Sequence, residues 1–191
     1  MKEETSEEKI SMAEKLLENK KIAILIAFRD FRDVEYFIPR DVLRGAGAQI
    51  LTVSSQKGQA IGADGGEVNV NLTLEELSPA DFDAVVFIGG AGALKYLDNE
   101  KSYEIARKTI EADKVLGAIC ISPVILAKAG VLEGKKATIW SAPLQKETIR
   151  TLKENGAIYE EKSVVVDGKI ITGNGPGAAK EWAQAIIEVL R

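Results

Sequence analysis

Short, unbroken apolar runs recur along this chain and limit its fold more than any other feature. Ile22 to Phe28, Ala84 to Ile88 and Val115 to Ile119 show no polar alternation, which is the pattern of strands covered on both faces. Helical patterns lie between them. Phe37, Ile38, Val42 and Leu43 recur at three- and four-residue spacing within Val34 to Ala46, and Gly45 and Gly47 supply a stop. Further helices are predicted over 99–112, 122–129, 143–155 and 178–190, and further strands over 48–53 and 136–140. Hairpin patterns are predicted near Glu67 to Leu72 and around Asp167-Gly168. Alternation of this kind implies an α/β domain with a mostly parallel sheet and helices on both faces. Before it, Ile10, Ala13, Leu16 and Leu17 outline a short amphipathic helix, so residues 1–19 read as a helical extension and 20–191 as the domain.

Composition narrows the functions open to such a domain. The net charge is −4, with 25 basic residues dispersed along the chain, which argues against a nucleic-acid partner. No apolar run approaches the roughly 18 residues of a membrane span, and the charged start has no secretory h-region, so a cytoplasmic protein away from membranes is expected. One cysteine, Cys120, cannot form an internal disulfide, and its value lies in packing or reactivity. Histidine is absent, which excludes Ser-His-Asp and Cys-His catalysis within the chain together with the commonest metal ligand. Nothing in the sequence calls for a metal or a cofactor.

In open parallel sheets, ligands bind beyond the carboxyl ends of the strands, and three motifs fall there. Gly117-Ala118-Ile119-Cys120-Ile121-Ser122 resembles a nucleophile elbow, with small residues two before and two after the cysteine where the chain must double back. A cysteine opening a helix also gains from free N–H groups, which lower a thiol pKa; the alternative is a buried, inert thiol. Glu35 lies just inside the first helix, either as a solvated acid favoured by the helix dipole or as an acid serving a site. Gly89-Gly90 follows a buried strand, where bare N–H groups can face a ligand oxygen, although a glycine pair alone signals only a turn.

Taken together, these pieces resemble the DJ-one/ThiJ/PfpI superfamily. The likeness runs over roughly residues 20 to 191 and rests on several quoted segments. They are Glu35 with Ile38-Pro39 and Asp41-Val42-Leu43, Val85 to Gly90, Ala118-Ile119-Cys120 with Pro123, Leu126 to Gly130, and Gly173 to Gly177. The resemblance implies a flavodoxin-like three-layer α/β/α sandwich, a homodimer or larger homo-oligomer, and a Glu35 carboxyl bonded to the Cys120 sulfur. It also implies an oxyanion site from the N–H groups of Gly90 and Ile121. Gly89, Trp140, Ser141 and Pro176 are expected around the pocket, with Trp140 reading equally as a core residue. A carboxylate would repel a thiolate whereas a carboxylic acid can donate to it, so a raised Glu35 pKa and a shared proton are expected.

The departures from that superfamily are as informative. Peptidase-like members carry histidine directly after the cysteine, where this chain has Ile121; in another branch a histidine lies where Trp140 or Ser141 stands here. Amide hydrolysis needs a proton donor for the leaving amine, so peptidase activity is disfavoured. Thiol addition to a small reactive aldehyde asks less, and a glyoxalase or deglycase activity is the leading expectation. The alternative is a redox-sensing or stress-protective chaperone-like protein that uses Cys120 oxidation.

Overall fold

The computed structural model describes residues 16–144 and 146–191. Most of the helical extension expected over residues 1–19 lies outside the described residues. Residues 16–19 form a turn rather than helix, and Leu17 is fully buried with its N–H donating to the Ala46 carbonyl at 2.8 Å. Leu17 thus belongs to the packed core of the domain.

Three of the apolar runs form the middle of a seven-stranded sheet. They are β1 (Lys21–Leu25), β7 (Ala84–Phe87) and β8 (Val115–Ile119), numbered in chain order with the strands given below, and nearly every residue in them is buried. Around them stand β3 (Gln49–Ser54), β6 (Leu72–Thr73), β11 (Val164–Asp167) and β12 (Ile170–Gly173), in the order β11-β12-β8-β7-β1-β3-β6. All neighbours are parallel except β11 and β12, which form the hairpin expected around Asp167-Gly168.

Each face of the sheet has its own apolar core. On one side lie α1 (Asp33–Gly45) and α6 (Ala179–Leu190), and their Tyr36, Leu43, Trp182 and Ile186 pack on Ile22, Ile24 and Val86. On the other lie α3 (Glu100–Glu111), α4 (Pro123–Lys128) and α5 (Glu147–Glu154), whose Ile105, Ile125, Leu126 and Leu152 pack against Ala23, Leu25 and Val85. Asn99 caps α3 by accepting from the Ser102 N–H at 3.1 Å, satisfying one of the free donors at its start. A single turn, α2 (Ala93–Tyr96), follows β7.

Trp182 is the largest fully buried side chain. Its indole lies against Gly117 of β8 and its Nε1–H donates to the Ile171 carbonyl at 3.1 Å. Trp182→Ala is expected to cost about 3–5 kcal/mol, the cost of emptying a large buried site; urea unfolding measures it, and a loss under 1 kcal/mol would contradict this packing.

Some expectations are corrected. The strand predicted over 136–140 shrinks to β9 (Lys136–Ala137), which leaves the main sheet to pair with β10 (Ile158–Tyr159). The main-sheet edge is already occupied there by the β11–β12 hairpin, and the Thr138 N–H bonds the Thr172 hydroxyl instead of a backbone carbonyl. The helix predicted over 143–155 forms only over α5, beginning at Glu147. The expected insertion hairpin pairs β5 (Glu67–Val70) with β4 (Gly58–Gly62), and β4 takes up the short β2 (Arg29–Phe31) as a third strand.

Candidate active site

The site forms where β1, β7 and β8 end. Cys120 follows β8 with φ of 63°, the left-handed region that non-glycine residues rarely adopt. Two backbone bonds hold it there: its N–H donates to the Gly173 carbonyl at 2.9 Å, and its carbonyl accepts from the Trp140 N–H at 2.9 Å. Ser122 is the small residue the tight turn needs, and its hydroxyl donates to the Ile88 carbonyl at 2.7 Å. The chain thus doubles back as an elbow and leaves the thiol half-buried at the base of a cleft.

Glu35 reaches this point from the first turn of α1. It is fully buried, which rules out the solvated helix-start alternative. Oε2 accepts the Gly89 N–H at 3.1 Å, whereas Oε1 has no conventional hydrogen-bond partner. Burial pushes the carboxyl up to about 7, against smaller opposing pulls from Cys120, the Gly89 N–H and the Arg32 guanidinium. An orphaned, buried carboxylate oxygen is costly, so the protonated form is favoured.

Gly89 lies between the two groups. A methyl group there would sit 2.6 Å from both the Cys120 Cβ and Glu35 Oε2. The lack of a side chain lets acid and thiol meet. Gly90 has φ of 108°, and its N–H, with that of Ile121, points at the Cys120 sulfur.

Opposing influences act on the thiol. Burial and then the neighbouring Glu35 push it up to about 12, and the Gly90 and Ile121 N–H groups only partly offset them. The helix that follows, α4, is six residues long, under two turns, and supplies little dipole. The Glu35 contribution exists only while the carboxyl is ionised, so the two groups titrate as a coupled pair.

The cleft has a volume of about 340 Å³ and is lined by Arg32, Ala63, Gly90, Ala91, Leu94, Cys120, Ile121, Trp140 and Pro176. Of the expected pocket residues, Trp140 and Pro176 stand in its wall and Gly89 lies behind it. Ser141 lines an adjacent cavity on the far side of Trp140, together with Lys146 and Tyr159. Trp140 is 43% exposed and forms a partition between the two spaces rather than part of the core. Arg32, Ala63, Ala91 and Leu94 were not anticipated. Ala63 arrives on a loop fixed by Asp33, whose carboxylate accepts the Asp64 N–H at 2.8 Å and the Gly66 N–H at 2.6 Å. The run Arg29 to Asp33 at the end of the first strand was the available signal for Arg32.

A parallel α/β sandwich carrying a cysteine elbow beside a buried glutamate defines a recognisable class. The DJ-1/PfpI family model matches residues 20–189, and the chain belongs to that family. An uncharacterised protein of Methanocaldococcus jannaschii is 41% identical over 91% of this chain and 84% of its own length. Deglycase PfpI of Pyrococcus furiosus is 33% identical over 88% of this chain and 98% of its own. The crystal structure of a ThiJ/PfpI domain protein from Brachyspira murdochii is similar at a TM-score of 0.85 and 32% identity, covering 91% of this chain and 97% of that one. Among the described residues, no helix is long and apolar enough to cross a membrane.

Proposed function

We propose that this protein is a cysteine-dependent, cofactor-independent enzyme of the deglycase or glyoxalase type, acting on small α-oxoaldehydes or their early adducts with amines. The observation that carries the reading is the fully buried Glu35 beside the Cys120 thiol at the base of an open cleft. The deglycase names of several relatives, from Pyrococcus furiosus and Thermococcus kodakarensis to Escherichia coli, support the substrate class. The same reading expects a cytoplasmic homo-oligomer.

The chemistry uses only groups in the cleft. In the fraction of molecules with Glu35 ionised, sulfur adds to the aldehyde carbon as its proton passes to Glu35; the carbonyl electron pair moves to oxygen, held by the Gly90 and Ile121 N–H groups, and Glu35 returns the proton to that oxygen, giving a thiohemiacetal and a free carboxylate. In an α-oxoaldehyde, the freed Glu35 carboxylate then takes the proton from that carbon and delivers it to the neighbouring carbonyl carbon, while the hydroxyl proton moves to the neighbouring oxygen. One carbon is oxidised and its neighbour reduced, so no outside oxidant or reductant enters. The product is a thioester, and water cleaves it to release a hydroxy acid and the free thiol. In an amine adduct, sulfur displaces the amine, the sulfur proton passing through Glu35 to the departing nitrogen, and the resulting thiohemiacetal follows the same steps.

Methylglyoxal loss and lactate formation test this. Cys120→Ser is expected to lower turnover on the order of a thousandfold or more, and Glu35→Gln by a hundredfold or more. Equal rates in the native protein and both variants would sink the enzymatic reading. Mild peroxide followed by mass spectrometry addresses the redox alternative, which requires two oxygens on Cys120 before either methionine is oxidised.

A further inference from the structure

We propose that Arg32 is a specificity residue that makes this cleft select substrates bearing a carboxylate or phosphate group near the reacting carbon. Only for the identity of that carbon does the proposal rest on the aldehyde chemistry above.

Arg32 is the one charged side chain in the cleft wall, and the other lining side chains belong to alanine, leucine, isoleucine, tryptophan, proline and the cysteine itself. Among the described residues, no second cation and no carboxylate from the wall compete for a bound anion. The backbone of Arg32 is fixed beside the reacting centre. Its N–H donates to the Gly89 carbonyl at 3.0 Å, and a side chain on Gly90 would come within 2.4 Å of the same nitrogen. The guanidinium therefore swings from an anchored pivot next to the turn that faces the sulfur.

Its present partner is weakly held. Asp64 Oδ2 lies 3.8 Å from Arg32 Nη1, with the two side chains 57% and 43% exposed, a geometry worth little in water. The nearer acid in the chain, Asp33, is committed to the Asp64 and Gly66 N–H groups. A substrate carboxylate or phosphate accepts two parallel hydrogen bonds from a guanidinium, which a distant, solvated aspartate does not match. Anion binding has a second effect on the site. Arg32 helps keep the Glu35 carboxyl ionised, and neutralising the guanidinium relaxes that pull, so a bound anion leaves Glu35 better supplied with its proton.

The test uses the lone thiol and does not depend on aldehyde turnover. Iodoacetate and iodoacetamide alkylate sulfur by the same displacement of iodide, and they differ in carrying a carboxylate or a neutral amide. With one cysteine in the chain, all incorporation reports on Cys120. The ratio of the two rate constants is expected to fall about tenfold in Arg32→Gln and to recover in part in Arg32→Lys. Inorganic phosphate and acetate as competitors separate the two anion types: the one that lowers the native ratio at lower concentration identifies the preferred group. A purely structural role for Arg32 slows both reagents alike, and an unchanged ratio in Arg32→Gln overturns the proposal. Methylglyoxal turnover, measured in parallel, separates the two readings. An inactive protein with an Arg32-dependent ratio overturns only the aldehyde chemistry, and an active protein with a flat ratio overturns only the anion site.

Discussion

A Gly89→Ala variant is expected to lose about 3 kcal/mol of stability and nearly all Cys120 reactivity, from the addition of one methyl group. The new Cβ would sit 2.6 Å from the Cys120 Cβ, 2.6 Å from Glu35 Oε2 and 3.0 Å from the Ile119 carbonyl oxygen. None of these is the free end of a flexible chain. The elbow is pinned by backbone bonds, and Glu35 is enclosed on all sides. Relief requires the acid and the thiol to move apart, which breaks the bond from the Gly89 N–H and separates the coupled pair. Overpacking of this kind costs about 1–3 kcal/mol, and displacing a buried acid adds to it. For a domain of this size that lowers the melting temperature by roughly 6–12 °C. Calorimetry together with the iodoacetamide rate measures both effects; a variant within 1 kcal/mol of the native protein that still alkylates normally would show that the site does not depend on this close approach.

The second large effect is a pH dependence of stability that belongs to Glu35. Its folded carboxyl titrates at about 7, against 4.5 for the exposed group. Between those values the native protein keeps a proton that the unfolded chain releases. Stability contributed by this group is therefore full below pH 4.5 and is lost as pH rises to 7. The shift of about 2.5 pH units, at about 1.4 kcal/mol each, corresponds to a loss of about 3 kcal/mol. Glu35→Gln retains an oxygen for the Gly89 N–H and has no proton to lose. Its stability is expected to lack that slope, so that relative to the native protein it gains about 3 kcal/mol between pH 4.5 and pH 8. Urea unfolding across that range measures the difference. Parallel pH profiles for the two proteins would mean that Glu35 is ionised in the folded state at neutral pH.

Much of this arrangement is legible in the chain because burial on both faces leaves a strong mark. The runs that became β1, β7 and β8 need no alternation, and the loops that follow them are where the site lies. Gly89, Gly90 and the small residues around Cys120 are visible for a related reason: close approach of backbone excludes side chains. Weak pairing leaves weaker traces. Arg29–Phe31 is a three-residue strand with two exposed positions, too short for any periodicity, and its sheet with β4 and β5 went unseen. Trp140 reads as the end of a strand because Thr138 and Ile139 are buried beside it, yet a hairpin from later in the chain holds the sheet edge. The direction of the thiol shift depends on how much water reaches the sulfur, and spacing along a sequence does not report that. Arg32 reads in the sequence as one of several charges in a loop, and only the fold places it in the cleft wall while Arg29 and Asp30 stay exposed.

The two backbone bonds at Cys120 bear on biosynthesis. The peptide units on either side of this residue are tied to Gly173 and Trp140, both of which leave the ribosome after it. Until the later segments have been made, position 120 carries an ordinary thiol on an unconstrained chain, with no oriented N–H groups around it. Domains assembled from distant segments acquire their geometry late. A nascent or truncated chain ending before β12 therefore lacks the Gly173 carbonyl that holds the Cys120 N–H, and the geometry at this residue is completed only when synthesis is nearly finished.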